Sequence, residues 1–133
     1  MAHATISSVL DASALLALLF REQGADRFAS AAGPRPVMSA VNWSEVSQKS
    51  AAYRVDKRNL LSGVLDAGLE VMDVTLDRAE RIANLWPVTR PLGLSLADRA
   101  CLALAIELGR PAVTADRTWG RLSINGLAVQ FLR

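Results

Sequence analysis

Short apolar runs rich in β-branched residues alternate with longer helical stretches along this chain, and that alternation leaves few folds open. Thr5 to Leu10, the pair Val37 and Met38, LEVMDV from Leu69, AVTA from Ala112 and LAVQFL from Leu127 read as strands. SALLALLF after Asp11, Ser39 to about Val55, Asp56 through Leu65, Thr75 to Trp86 and Leu96 to Leu108 read as helices. Their punctuation agrees: Asp56, Thr75 and Ser95 suit N-caps, Gly68 and Gly109 suit helix ends, and Pro111 stands just beyond. Two prolines and a glycine between Pro87 and Leu94 predict an extended loop, and Gly33, Pro34 and Pro36 predict another. Alternating strands and helices imply a mainly parallel sheet with helices on both faces. At 133 residues the chain holds one core, so 1–133 is expected to be a single domain.

Four acids stand where a strand gives out or a helix begins: Asp11 in VLDASALLAL, Glu45 in NWSEV, Asp98 in LSLADRACLALA and Asp116 in VTADRTW. In an open α/β sheet such junctions gather at one edge, where ligands bind. Singly, each acid has a local explanation. Asp11 and Asp116 suit N-caps, while Ser95-x-x-Asp98 and Asn42-x-x-Glu45 have capping-box spacing. Jointly they place four carboxylates at one edge, with the hydroxyls of Ser13 and Thr114 each two residues from an acid. Two unit charges at 4 Å repel by roughly 4 kcal/mol at an effective dielectric of 20, so such a cluster needs protons or cations. Hard oxygen donors select Mg²⁺ or Mn²⁺ over zinc, and those ions can polarise a phosphodiester and lower the pKa of a bound water.

Other chemistries are excluded by what the chain lacks. His3, beside the N-terminus, is the only histidine, which removes a Ser-His-Asp triad and a histidine-based ribonuclease. Cys101 is the only cysteine, so no intrachain disulfide or thiolate cluster can form, and its apolar helix marks it as core. No Gly-rich phosphate loop occurs. The formal charge of +2 does not by itself announce a nucleic-acid binder. Thirteen of the fifteen basic residues are Arg, which suits bidentate phosphate contacts, although a GC-rich genome gives the same bias. No apolar run reaches membrane-spanning length and no signal segment opens the chain, so a soluble cytoplasmic protein is expected.

The four acid-bearing stretches, in this order and spacing, resemble the PIN domain, and more narrowly the VapC-type ribonuclease toxins of bacterial VapBC toxin–antitoxin pairs. The resemblance spans nearly the whole chain. It implies an α/β/α sandwich acting as a Mg²⁺- or Mn²⁺-dependent endoribonuclease on RNA, with Asp11, Glu45, Asp98 and Asp116 as the acidic quartet. Asp11 and Asp98 would be the principal metal ligands, Glu45 and Asp116 would complete the site or position the attacking water, and Ser13 and Thr114 would support it. The resemblance also implies a homodimer and a small antitoxin whose C-terminal segment lies near the active site; residues 50–90 carry no family motif. Arg99 and Arg117 could meet RNA phosphates or pair with the adjacent acids, and Trp43 and Trp119 could stack on bases or lie buried. Two other readings are a PIN scaffold that has lost catalysis and serves as an interaction module, and a phosphoacceptor signalling domain. The latter needs adjacent acids after the first strand and a late lysine, whereas no lysine follows Lys57.

Overall fold

The structure, a computed structural model, describes residues 6–133. Five strands form one sheet: β1 (Val9–Leu10), β2 (Val37–Ser39), β3 (Glu70–Met72), β4 (Ala112–Thr114) and β5 (Val129–Phe131). Their spatial order is β3-β2-β1-β4-β5 and every pairing is parallel. Seven helices cover it among the described residues: α1 (Ala12–Leu19), α2 (Phe28–Ala32), α3 (Ala40–Ala52), α4 (Lys57–Asp66), α5 (Leu76–Asn84), α6 (Trp86–Thr89) and α7 (Leu96–Leu108).

The three inner strands sort their side chains by the two-residue period of a pleat. Leu10, Met38 and Val113 join the core that takes in Leu15 and Leu16 of α1 and Val46 of α3. Val9, Val37 and Ala112, one residue earlier on each strand, join the opposite core with Cys101, Leu102 and Ala105 of α7. Both members of each pair are buried, as a parallel sheet sandwiched by helices requires. The result is the α/β/α sandwich that the alternating pattern predicted.

Chain order makes the centre of this sheet special. From β1 the chain steps outward through β2 to β3, then crosses back to lay β4 on the other flank of β1. The order therefore reverses between β1 and β4, and the carboxyl ends of those two strands flank the crevice where open α/β sheets bind ligands. Asp11 follows β1 directly, and its N–H continues the ladder to the Val113 carbonyl at 3.1 Å.

Helix boundaries followed local chemistry closely where a cap was present. Asp56, Thr75 and Ser95 cap α4, α5 and α7 through side-chain acceptors, and Gly109 ends α7 in the left-handed conformation. The stretch 87–94 departs from the extended loop expected of it. Pro87 lies in the first turn of α6 and Pro91 in that of a 3-10 turn, Arg90–Leu92, positions where a missing N–H costs nothing. α5 accordingly ends at Asn84 rather than Trp86, and the segment after AVTA forms a 3-10 helix, Arg117–Arg121. The strands are shorter than their apolar runs, β3 keeping three residues of LEVMDV and β5 three of LAVQFL. Helix α2 and a preceding 3-10 turn, Ala25–Arg27, had no counterpart in the sequence reading. His3 and Thr5 lie outside the described residues.

Gly33 closes α2 at φ 75° and ψ 178°, and a Cβ there would sit 2.2 Å from the Ser7 Cβ just before β1. Gly33→Ala should therefore destabilise the fold by at least about 1–3 kcal/mol, the cost of a side chain in this glycine-only region, with the clash in addition. Urea denaturation measures it; an unchanged midpoint would show that the Ser7 segment yields freely.

Candidate active site

Asp11 is 4% exposed, and all its hydrogen-bond partners among the described residues are neutral. Its Oδ1 accepts the Ala14 N–H at 2.9 Å, which caps α1 as the spacing suggested. The Ser13 hydroxyl lies 2.8 and 2.9 Å from the two carboxylate oxygens, and the Thr114 hydroxyl donates to Oδ2 at 2.6 Å. Thr114 Oγ1 also accepts the Asp116 N–H at 3.0 Å, while Ser13 Oγ accepts the Ala115 N–H at 2.9 Å. One network thus ties the ends of β1 and β4 across the switch point. It fixes Asp11 and the backbone of Asp116 relative to each other.

Burial pushes the Asp11 carboxyl up to about 6, against the opposing pull of the Thr114, Ala14 and Ser13 hydrogen bonds, and the charge of Asp98 raises it further. Asp98 is therefore within electrostatic reach of Asp11. It sits in the first turn of α7, where Ser95 Oγ accepts the Asp98 N–H at 3.1 Å and Asp98 Oδ2 accepts the Ser95 N–H at 2.8 Å. The capping box is real, and it engages only one carboxylate oxygen. Asp116 is similar: Oδ1 accepts the Thr118 N–H at 2.9 Å and caps the 3-10 helix. In both residues the cap engages one carboxylate oxygen and leaves the other outside it.

Glu45 stands apart from this network. The helix that carries it is capped by Ser39, so Asn42-x-x-Glu45 is no capping box and both residues lie inside α3. Asn42 instead reaches across to α7, where its Nδ2 donates to the Ala97 carbonyl at 2.9 Å, beside Asp98. This latch sets the helix bearing Glu45 against the turn bearing Asp98. Glu45 itself pairs with Lys49 at 3.3 Å. Among the described residues no three acidic, histidine or cysteine side chains stand close enough to hold one ion together.

The donor set nonetheless suits a hard divalent cation. Mg²⁺ keeps several waters and needs only one or two carboxylates, with phosphate oxygens completing its shell. Asp11 is a buried carboxylate without a cationic partner. Asn42, 1% exposed and bonded to the Ala97 carbonyl next to Asp98, keeps Oδ1 without a hydrogen-bond partner, a defect of about 1–3 kcal/mol that a polar ligand at this contact would repair.

The remaining candidates divide. Arg99 and Arg117 do not pair with their neighbouring acids. Arg99 Nη1 lies 3.4 Å from the Leu94 carbonyl, and Arg117 Nη1 donates to the Arg133 carbonyl at 2.9 Å while its guanidinium lies over Phe131. Trp119 is buried at 1% exposure and Trp43 packs half-buried against the core on the α1 side, so Trp119 offers no base-stacking face. Cys101 is core, its thiol pushed well up by burial.

The chain is thus an all-parallel α/β sandwich with a buried carboxylate at its switch point and further acids just after β4 and in the first turn of α7. Residues 8–125 match the PIN domain family, and the chain belongs to it. No curated protein sequence matches the chain. Among solved structures it is similar to a toxin–antitoxin complex from Klebsiella pneumoniae (23% identity, 92% of this chain and 96% of that one, TM-score 0.71). It is also similar to DNA-bound VapBC from Salmonella typhimurium (16%, 97% and 100%, 0.72) and to VapC20 of Mycobacterium tuberculosis, a toxin that cleaves the sarcin–ricin loop (17%, 88% and 97%, 0.70).

The raised Asp11 carboxyl has a consequence for the metal-free protein. Folding holds this proton more tightly than the unfolded chain does, so the group's contribution to stability is intact below about pH 4. It is lost as pH rises through about 6, by roughly 3 kcal/mol in all. Asp11→Asn, neutral throughout, should flatten that decline in urea denaturation in EDTA from about pH 4 to pH 8. Parallel profiles for the two proteins would contradict it.

Proposed function

We propose that the protein is a Mg²⁺- or Mn²⁺-dependent endoribonuclease of the VapC type, the toxin of a toxin–antitoxin pair acting in the cytoplasm. The observation that carries this reading is Asp11: a buried carboxylate at the switch point, braced by two hydroxyls and left without a cation. Membership of the PIN family and likeness in fold to toxin–antitoxin proteins support it.

Asp11 and Asp98 would hold the metal, with Glu45 and Asp116 acting through water. The bound ion would supply a polarised phosphodiester and an activated water. The chain's own residues do the rest. Ser13 and Thr114 donate to Asp11 and fix the direction of its lone pairs, as hydrogen-bonded carboxylates around a metal require. The capping box leaves Asp98 one oxygen for the ion while the other anchors the carboxylate to α7. Glu45, paired with a half-exposed lysine, would complete the site or position the attacking water.

An antitoxin segment has a surface to lie on. A cleft of about 570 Å³ between α1, α2 and α4 is lined by Leu15, Leu18, Phe28 and Val64, and Leu18, Leu61 and Leu65 are exposed. Trp86, Val88 and Leu96 are also exposed, and a homodimer would cover such apolar side chains. No helix among the described residues is long and apolar enough to cross a membrane.

The test is to incubate antitoxin-free protein with total cellular RNA in Mg²⁺, Mn²⁺ or EDTA. Discrete fragments should form only with metal. Asp98→Asn keeps an oxygen for the Ser95 N–H, so it should fold while losing roughly a hundredfold or more in rate, the scale of removing one charge-stabilising group. Metal-independent cleavage, or full activity in folded Asp98→Asn, would overturn the assignment.

A further inference from the structure

A second cleft, of about 530 Å³, runs between α1 and the C-terminal half of α3 and bears on three of the four acids. Ser13 lines one end, and its hydroxyl is bonded to Asp11. Lys49 lines the wall formed by α3 and is paired with Glu45. Arg133 lines the cleft too, and its carbonyl accepts a hydrogen bond from Arg117, the residue after Asp116. Asp11 and Glu45 thus each contact a residue that lines the cleft, and Asp116 is joined to one through its neighbour Arg117.

The chemistry of the walls is that of a single-stranded nucleic-acid track. Tyr53 is 71% exposed, and its ring leans on Phe20 with centroids 4.8 Å apart and planes at 43°. Phe20 and Tyr53 both line the cleft, and a tyrosine exposed to this extent leaves ring surface on which a base can stack. Two cations, Lys49 and Arg133, face the cleft against one acid, Glu22. The Lys49–Glu45 pair is half-exposed, with side chains 54% and 36% accessible, so it holds Lys49 weakly and a phosphate can replace Glu45. Arg133 is held in place by Nη1 donating to the Gln23 carbonyl at 2.9 Å.

We propose that this cleft carries the RNA strand beside the cut site, with one unpaired base stacked on Tyr53 and the backbone phosphates met by Lys49 and Arg133. The proposal rests on the ribonuclease reading and narrows its substrate to RNA that is single-stranded at this position, because a base within a duplex offers no free face. Release of Glu45 from Lys49 when the strand enters would free that carboxylate for its role at the site.

The experiment measures binding apart from cleavage. A fluorescein-labelled single-stranded RNA of mixed sequence, and the same strand annealed to its complement, are titrated with the full chain in EDTA and followed by anisotropy. Tyr53→Ala should weaken single-strand binding roughly tenfold and leave duplex binding unchanged, whereas Tyr53→Phe should bind as the parent does. Lys49→Ala should lessen the slope of log affinity against log salt by about 0.7, the loss of one single-strand phosphate contact. Equal single-strand affinity in parent and Tyr53→Ala would overturn the proposal, as would equal losses for both RNA forms. Loss of antitoxin binding alone would do the same, by giving the cleft to a protein. The two readings fail separately: Tyr53-dependent binding without metal-dependent cleavage would remove the nuclease and keep the cleft, and cleavage with Tyr53-independent binding would do the reverse.

Discussion

The bond between the Thr114 hydroxyl and Asp11, 2.6 Å long, joins the ends of two adjacent strands at the point where the sheet reverses its order. Everything at this edge depends on it. The same hydroxyl accepts the Asp116 N–H, so removing it would free both the buried carboxylate and the turn that carries the next acid. Ser13 repeats the arrangement from the other side, donating to Asp11 and accepting from Ala115. The edge is rigid because each hydroxyl is used twice.

That rigidity is obtained without positive charge. A lysine or arginine against Asp11 would relieve its burial and bring its carboxyl back toward the ordinary range, at the cost of satisfying the site in advance. Hydroxyls and an amide orient the carboxylate and only partly offset its desolvation, which is why it stays raised. Local stability is given up to keep an orienting frame around an unneutralised charge, a conflict that marks functional sites more often than structural ones.

The fold was legible where a residue's meaning is local. Ser95, Asp98 and Gly109 bounded α7 correctly because caps act within one turn, and the pairs Val9/Leu10 and Ala112/Val113 read as strand because both faces of a buried strand are apolar. The stretch 87–94 misled because proline excludes the middle of a helix and not its first turn. Around the site, spacing singled out Ser13 and Thr114, each two residues from an acid; the Ser13–Asp11 bond is local to the cap of α1, whereas Thr114 donates to the carboxylate of Asp11, 103 residues away, which no spacing encodes. Asn42 was seen only as a cap. Its bond to Ala97, 55 residues on, follows from how α3 lies against α7, which no local pattern encodes.

Tyr53 is the harder lesson. It stands at the end of α3, in a region where the family resemblance offered no motif, and by sequence it is one isolated aromatic. Its significance comes from two unrelated contacts, Phe20 behind it and Lys49 one turn before it, which become one surface only after α1 and α3 have packed. The acids stood out in the sequence because chemistry restricts them to a few residue types at strand and helix junctions. A surface that guides a flexible polymer needs only an aromatic face and a cation at suitable separation, and many sequences satisfy that. Side chains along α3 can therefore change while the Asp11 edge stays fixed, since no hydrogen bond of the Asp11–Thr114 network passes through Lys49 or Tyr53.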